Sequence, residues 1–279
     1  MLDSTLYVSD LDGTLLNSNQ ELSAVTVNII NRLIDDGLPF SVATARSYDS
    51  AAKLIEPLDL RLPIIVHNGV FVFDPVSRTD ILSNYIEPGV TEDILKIFAQ
   101  AGLSPIVYTR SGSGESKVYY KGVFNPGEEH YINGRLARND RRFCLTDDFS
   151  VCAGQDTLTI LAIGENKALE PVYDRVRNKF DLTLHYTVDI YSKANWLELT
   201  HKKANKRDSA RYLKQMLGFE KLVCFGDNLN DLPLFEAADE SYAVENAHEI
   251  LKKAATDVIG GNDGDGVAKY LESRTGAAK

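Results

Sequence analysis

Residues 7–16 read Tyr-Val-Ser-Asp-Leu-Asp-Gly-Thr-Leu-Leu, and this stretch contains the first signals of both a fold and a chemistry. The apolar residues at its start predict a buried strand. Two carboxylates, Asp10 and Asp12, follow at the end of this strand. Because residues i and i+2 of a strand share a face, we expect both side chains to project together from the strand's carboxyl end. Close carboxylates repel each other, so the pair indicates a bound cation. Oxygen ligands favour a hard ion such as Mg²⁺.

Composition and charge narrow the class of protein. The chain has 279 residues, enough for one large domain or two modest ones, with 44% hydrophobic and 25% charged residues. A net charge of -10 argues against a nucleic-acid or membrane-surface partner and predicts a cytoplasmic protein. We see no secretory signal at the N-terminus and no apolar run long enough to span a membrane. The three cysteines lack Cys-x-x-Cys spacing, which predicts reduced thiols rather than disulfides or a zinc site.

The first 83 residues alternate between strands and helices. Apolar residues at helical spacing from Leu22 to Ile34 predict a helix that stops at Gly37. Short apolar runs at 39–44 and 63–66 predict buried strands, with a second helix between them. This alternation is typical of a parallel sheet with helical crossovers, so we predict an α/β fold with a Rossmann-like core.

From about Asn84 the pattern changes to hairpins mixed with helices. Pro105–Tyr120 reads as a hairpin, and we expect residues 84–188 to form an α+β domain inserted into the core. The core domain is then predicted to consist of residues 1–83 and 189–279. We assign the strand-like run Asn195–Leu199 to the returning parallel sheet.

The last third of the chain predicts more elements of the core. A helix is expected over Lys206–Leu217 with Asn205 as its N-cap, followed by a strand at Lys221–Phe225. Asp231 is expected to cap the next helix. Ser241–Val244 and Asp257–Ile259 read as short edge strands.

Polar residues follow several of these strands or open the helices between them, and in an open α/β sheet ligands bind at the strands' carboxyl ends. Asp-Leu-Asp-Gly-Thr at 10–14 resembles the first motif of the haloacid dehalogenase-like (HAD) phosphohydrolases. Together with Thr-Ala-Arg at 44–46, Asn-Gly at 68–69, Lys206 and Gly-Asp-Asn-Leu-Asn-Asp at 226–231, it resembles the Cof-type sugar phosphatases of that superfamily. Asp-Gly-Val at 265–267 resembles the family's closing segment. The resemblance implies a Rossmann-like core with a type IIB cap, and hydrolysis of small phosphorylated metabolites, sugar phosphates first.

The resemblance also implies roles for the carboxylates. Asp10 would be the nucleophile that forms an aspartyl phosphate, and Asp12 the general acid and then the general base. Mg²⁺ would be held by the Asp10 carboxylate, the Asp12 backbone carbonyl and Asp227. Asp231 would steady the water shell of the metal.

Four residues are expected to bind the phosphate: Thr44, Ala45 through its N–H, Lys206 and Asn230. Two of these residues also fit purely structural roles. The Thr44 hydroxyl fits a cap of the next turn, and Lys206 fits a solvated lysine on the surface of a helix. Lys202, Lys203 and Arg207 compete for the role of Lys206. Ala45 stands where the family commonly has glycine, and alanine restricts positive φ and adds a methyl group beside the phosphate.

Other functions stay open on the sequence alone. A phosphohexomutase resembling this family shares the first motif and a similar cap, and a phosphate-binding regulatory protein without catalysis would keep the same site. An ion-pumping ATPase domain fits less well because such domains lack the second Asp. The cap residues that select the substrate are not assigned, and no oligomeric state is predicted.

Overall fold

The computed structural model describes residues 4–188 and 194–276. It divides into two compact units, with one boundary after Ser83 and the other before Ala204. Unit 1 combines the two ends of the chain, and unit 2 is Asn84–Lys203. Within the described ranges, no helix has both the length and the apolar character to cross a membrane.

The N-terminal part of unit 1 begins with the predicted alternation. The elements are β1 (Thr5–Ser9), α1 (Ala24–Asp35), β2 (Phe40–Val42), α2 (Tyr48–Ile55), β3 (Ile64–Val66), β4 (Phe71–Asp74) and β5 (Thr79–Ser83). Ser23 starts α1 by accepting a hydrogen bond from the backbone N–H of Thr26, and Gly37 ends it at φ +97°. The sequence did not predict the antiparallel hairpin of β4 and β5.

Unit 2 is an α+β unit built on one mixed sheet. Its elements are α3 (Pro88–Gln100), β6 (Ile106–Arg110), β7 (Ser116–Tyr120), α4 (Pro126–Ala137), β8 (Phe143–Leu145), β9 (Asp156–Gly164), α5 (Asn166–Lys179), β10 (Leu182–Val188) and β11 (Asn195–His201). The strand order is β10-β11-β9-β6-β7-β8, and every pair is antiparallel except β7 with β8. The hairpin predicted over Pro105–Tyr120 is present as β6 and β7.

The C-terminal part of unit 1 completes the parallel sheet. It contributes α6 (Lys206–Leu217), β12 (Lys221–Gly226), α7 (Leu232–Ala237), β13 (Glu240–Val244), α8 (Glu249–Ala254), β14 (Asp257–Ile259) and α9 (Gly266–Gly276). The sheet runs β14-β13-β12-β1-β2 with all pairs parallel. All five residues of β1 are buried, as expected of a central strand covered on both faces. The predicted α/β fold with a parallel-sheet core is confirmed.

Two strand assignments from the sequence were wrong. β11 belongs to the sheet of unit 2, where it pairs antiparallel with both β9 and β10, and not to the parallel core. The alternation of apolar and polar residues in Asn195–Leu199 does not encode the direction of a partner strand. The second boundary therefore lies before Ala204, whereas the sequence placed it after Val188.

The second wrong assignment concerns β13. It was predicted at an edge of the sheet but lies between β12 and β14. Helix α4 and strand β8 were not predicted.

Candidate active site

The turn after β1 is the centre of the site. Residues 11–15 form a single wide helical turn that Gly13 interrupts at φ +74°. A Cβ atom built at Gly13 would lie 2.5 Å from Oδ2 of Asp227, so glycine allows the two loops to meet. Asn246 Nδ2 donates to the Gly13 carbonyl oxygen at 2.8 Å and holds the turn from the side of β13.

Lys206 lies between two carboxylates in the interior of unit 1. Its Nζ is 2.5 Å from Oδ1 of Asp10 and 2.6 Å from Oδ1 of Asp231. Lys206 is 1% exposed and Asp10 is 4% exposed. This geometry excludes the solvated helix lysine that the sequence left open.

The candidates that competed with Lys206 have other positions. Lys202 is in unit 2, where its Nζ is 2.7 Å from Oδ2 of Asp181. Lys203 is also in unit 2, and Arg207 pairs with Glu236 on the surface of α6. Lys206 is therefore the lysine that the start of α6 places beside Asp10.

Asp231 holds the loop after β12 in shape. Its Oδ2 accepts hydrogen bonds from the backbone N–H groups of Asp227 and Asn228, at 3.1 and 3.2 Å. The side chain does not cap α7, although its backbone stands at the N-cap position as the sequence predicted. A Cβ at Gly226 would lie 2.7 Å from Cβ of Asp231, so this glycine too permits a close approach.

Three carboxylates converge in this interior. One oxygen each from Asp10, Asp227 and Asp231 lies within 4.8 Å of the others. Thr14 Oγ1 donates to Oδ1 of Asp227 at 3.3 Å. The contributing strands β1 and β12 are neighbours in the sheet, which explains why residues more than two hundred positions apart meet at one edge.

The electrostatics of the cluster favour a bound cation. Burial and the charge of Asp231 raise the pKa of the Asp10 carboxyl, although Lys206 opposes this, and the same two causes raise the pKa of Asp227 to about 6. Burial lowers the pKa of Lys206, but Asp10 and Asp231 outweigh it and raise the pKa above its ordinary value. One ammonium faces three carboxylates, and oxygen donors at this spacing fit a hard divalent ion.

The side chain of Asp12 points to a different partner. Arg46 donates to it through Nε at 2.7 Å and through a terminal nitrogen at 2.5 Å. Gln20 Oε1 accepts a further hydrogen bond from Arg46 at 3.1 Å. No role was predicted for Arg46, although its position in the Thr-x-Arg motif was an available signal.

The other three predicted phosphate-binding residues lie in two loops of unit 1. Thr44 is fully buried after β2, and its Oγ1 accepts from the backbone N–H of Arg46 at 3.1 Å, which is the turn-capping contact the sequence left open. A threonine hydroxyl that accepts a hydrogen bond can also donate one. Ala45 is exposed and is not among the positive-φ residues, so alanine fits this backbone without strain. Asn230 is half-buried in the short turn before Asp231.

The Asn-Gly motif positions the start of α6. Gly69 has φ +98°, and a Cβ there would lie 2.4 Å from the carbonyl oxygen of Asn205, the N-cap of α6. Ser209 Oγ donates to the Gly69 carbonyl oxygen at 3.1 Å. The loop after β3 therefore packs directly on the turn that presents Lys206.

The segment that contains Asp-Gly-Val forms hydrogen bonds between the two ends of the chain in unit 1. Asp263 accepts from the N–H and the hydroxyl of Ser18, at 2.8 and 2.7 Å. Asp265 accepts from Thr26 at 3.1 Å and also from the hydroxyl of Ser23. These bonds fasten the C-terminal part of unit 1 to the segment that links the Asp10 turn with α1.

Comparison with known proteins identifies the family of the chain. The family model described as haloacid dehalogenase-like hydrolase matches residues 7–271. The 5-amino-6-(5-phospho-D-ribitylamino)uracil phosphatase YitU of Bacillus subtilis is 27% identical over 274 residues, covering 96% of each chain. A solved haloacid dehalogenase-like hydrolase from B. subtilis is 26% identical with a TM-score of 0.74, covering 95% of this chain and 98% of its own.

A second solved structure supports the fold alone. It is a HAD subclass IIB sugar phosphatase, with a TM-score of 0.72 and 16% identity, and the match covers 97% of this chain and 99% of the other. The structural likeness thus extends over both units. The family match, the phosphatase relative and the buried cluster of Asp10, Lys206 and Asp231 lead to one conclusion: the chain belongs to the haloacid dehalogenase-like hydrolases.

Proposed function

We propose that this hydrolase is a Mg²⁺-dependent phosphatase of small phosphorylated metabolites, with sugar and polyol phosphates as the first candidates. The observation that carries the proposal is the buried contact of Lys206 with Asp10 and Asp231 at the carboxyl edge of the parallel sheet. A relative named for a phosphoribitylamino substrate and a fold shared with a sugar phosphatase support the substrate class.

The chemistry proceeds in two steps on residues of unit 1. Asp10 attacks the phosphorus, an O–P bond forms to its carboxylate, and the ester oxygen leaves with a proton from Asp12. A water molecule then gives its proton to Asp12 and attacks the same phosphorus. This step releases inorganic phosphate and restores the Asp10 carboxylate.

Charge control is the main task of the surrounding residues. Lys206 orients Asp10 through its 2.5 Å contact and balances part of the negative charge. We assign metal binding to the carboxylates of Asp10 and Asp227 and the backbone carbonyl of Asp12, with Asp231 fixing the Asp227 loop. The metal, when bound, supplies the positive charge that lets an anionic phosphate approach an anionic nucleophile.

We assign phosphate binding to groups that can donate hydrogen bonds. The hydroxyl of Thr44, the N–H of Ala45 and the side-chain amide of Asn230 are neutral donors of this kind. Lys206 adds a positive charge beside them. Such donors stabilise the charge that develops on the phosphoryl oxygens during transfer.

The test is phosphate release from a panel of sugar, polyol and other metabolite phosphates with Mg²⁺. We expect Asp10→Asn to lower kcat by at least about 10³-fold, because a nucleophile cannot be replaced by an amide. Asp49→Asn, on the exposed first turn of α2, is the matched control and should keep wild-type kcat. Release that Asp10→Asn leaves unchanged, or that persists after chelation of the metal, would contradict the proposal.

Product analysis separates the phosphatase from the two alternatives. A hexose 1-phosphate should give free sugar and phosphate; formation of the 6-phosphate isomer would instead indicate a mutase. Quenched turnover followed by mass spectrometry should find a phosphoryl group on the peptide that contains Asp10. Mg²⁺ binding with no turnover on the whole panel would favour the regulatory phosphate-binding protein.

A further inference from the structure

The loop between β13 and α8, residues 245–248, contacts both segments that carry the proposed metal ligands. Asn246 Nδ2 donates to the carbonyl oxygen of Gly13 at 2.8 Å. Two residues further along the loop, the backbone N–H of His248 donates to the carbonyl oxygen of Asp227 at 2.7 Å. One short loop therefore holds the backbone of both segments, although none of its own residues is among the proposed ligands.

Gly13 is the position in the turn after β1 where the backbone most needs such support. Its φ of +74° and the 2.5 Å that would separate its Cβ from Oδ2 of Asp227 together require glycine. Glycine has the least restricted backbone, so the residue itself does not fix these torsions. The same torsions set the direction of the preceding carbonyl, that of Asp12. The hydrogen bond from Asn246 holds the Gly13 carbonyl and so restricts the direction of the Asp12 carbonyl as well.

The side-chain amide of Asn246 is held at both ends. Its Oδ1 accepts from the backbone N–H of Asn262 at 3.0 Å, while its Nδ2 bonds to Gly13. Asn262 is buried, and its own Nδ2 donates to the carbonyl oxygen of Leu16 at 2.9 Å. The two asparagines thus join the middle of the turn after β1 to its end.

The exposure of Asn246 separates its effect on the metal site from its effect on stability. Asn246 lies at the surface of unit 1, where water competes for both partners of its hydrogen bonds. Such bonds contribute little to the free energy of unfolding. Residues that orient metal ligands from outside nevertheless change metal affinity by about 10–100-fold, because a ligand that is free to turn binds less tightly.

We propose that Asn246 is a positioning residue for the metal site. By holding Gly13 it orients the Asp12 backbone carbonyl, and it thereby raises the affinity of the site for Mg²⁺. The inference rests on the proposed function, because it concerns the metal ligands assigned there. Asn246 is itself neither a ligand nor a catalytic residue.

The test is titration of the full-length protein without substrate, with Mg²⁺ followed by calorimetry and with Mn²⁺ followed by electron paramagnetic resonance. Asn246→Leu keeps the approximate shape of the side chain and removes both hydrogen bonds of the amide. We expect the Kd of each ion to rise at least about 10-fold. The urea midpoint of the metal-free protein should stay close to that of the wild type. Turnover at saturating Mg²⁺ should stay within about 3-fold, because the reacting groups are unchanged.

Two further variants serve as controls. Asn178→Leu makes the same exchange at an exposed position of α5 in unit 2 and should leave the Kd of both ions unchanged. Asn246→Ala removes the same hydrogen bonds with a smaller side chain and should reproduce the rise in Kd. Agreement of the two Asn246 variants would show that the added leucine is not the cause.

The outcomes separate this inference from the proposed function. Unchanged Kd values in both Asn246 variants, with Mg²⁺ bound by the wild type, would overturn the positioning role and leave the phosphatase proposal intact. A rise in Kd that accompanies unfolding of the metal-free variants would overturn it in favour of a structural role. No metal binding by the wild type would overturn the proposed metal site and this inference together. Turnover that survives Asp10→Asn would overturn the proposed mechanism alone.

Discussion

Arg46 donates to both carboxylate oxygens of Asp12, at 2.7 Å from Nε and 2.5 Å from a terminal nitrogen. Such a paired contact fixes the plane of the carboxylate as well as its position. The contact therefore orients Asp12 for the proton transfers that we propose for it. Arg46 is thus a positioning residue.

Replacing Arg46 should lower turnover without removing the site. We expect Arg46→Lys to reduce kcat about 10- to 100-fold with a smaller change in KM, because lysine keeps the charge but loses the paired geometry and general acid–base catalysis is worth about 10²–10⁴-fold. A fall in kcat with an unchanged free energy of unfolding in urea would separate this role from a merely structural one. Arg61→Lys, in the exposed pair with Asp35, is the control and should have no effect. Wild-type kcat in Arg46→Lys would refute this role.

Lys206 should be as important for stability as for catalysis. Lys206→Met leaves Asp10 and Asp231 buried without their shared cation, and removal of one partner from a buried ion pair costs about 3–5 kcal/mol. Urea unfolding of the metal-free protein measures the loss. Adding Asp231→Asn to Lys206→Met should recover part of it, because fewer unpaired charges remain. A loss below about 1 kcal/mol would show that the pair is not isolated from solvent.

The stability of the metal-free protein should depend on the protonation of Asp227. Its pKa of about 6 in the folded protein exceeds the ordinary 3.8, because burial and the charge of Asp231 disfavour the carboxylate. The folded state therefore binds this proton more tightly than the unfolded chain does. The resulting stabilisation is present at low pH and is lost between about pH 4 and 7.

The variant Asp227→Asn isolates this effect from other titrating groups. Without metal it should be more stable than the wild type at pH 7.5, and this advantage should shrink at pH 5. Urea unfolding in the presence of a chelator, at both pH values, gives the comparison. With Mg²⁺ present the order at pH 7.5 should reverse, since the metal site that we propose includes the Asp227 carboxylate. A difference that does not change with pH would contradict the raised pKa.

Ala45→Gly tests the departure from the family's usual motif. Ala45 does not have a positive φ, so glycine at this position relieves no backbone strain in the folded state. Glycine does increase the conformational entropy of the unfolded chain. We expect the free energy of unfolding to fall by about 0.4–1 kcal/mol. KM should stay within about 3-fold, as the donor N–H is kept. A KM at least about 10-fold lower would instead show that the alanine methyl hinders phosphate.

Thr91→Val should increase the free energy of unfolding. The substitution removes a buried hydroxyl that lacks a partner in the described structure and keeps the branched shape of the side chain. An unsatisfied buried polar group costs about 1–3 kcal/mol, so a gain of about 1 kcal/mol is expected in thermal or urea unfolding. Thr109→Val is the matched control and should destabilise, because the hydroxyl of Thr109 is bonded to Gln155.

Much of the parallel core could be predicted because its signals are local. Only a few neighbouring residues determine each of these signals. They are the apolar residues before Asp10, the helical spacing that ends at Gly37 and the Asn205 cap of α6. Local signals also place candidate residues at strand ends, where a parallel sheet brings them together. The resemblance of the motifs then indicated which of them belong to one site.

The partners of these residues could not be predicted in the same way. The contact of Arg46 with Asp12 depends on the course of the turn after β2, and that of Asn246 with Gly13 on the loop after β13. The alternating pattern of β11 fits either sheet, so only its pairing with β9 and β10 shows which unit it joins. Contacts between distant segments decide these features.

The central position of β1 has a consequence for how the protein is made. Thr5 pairs with Lys221, so the first strand to leave the ribosome must wait for a partner 216 residues later. At about 5–20 residues per second, the ribosome needs roughly 10–40 s to supply it. During that interval the edge of β1 that later receives β12 is available to other strands. Unit 2, which is continuous in the chain, is complete before β12 is synthesised, so Asp10 is among the first residues translated and its site is among the last parts to be assembled.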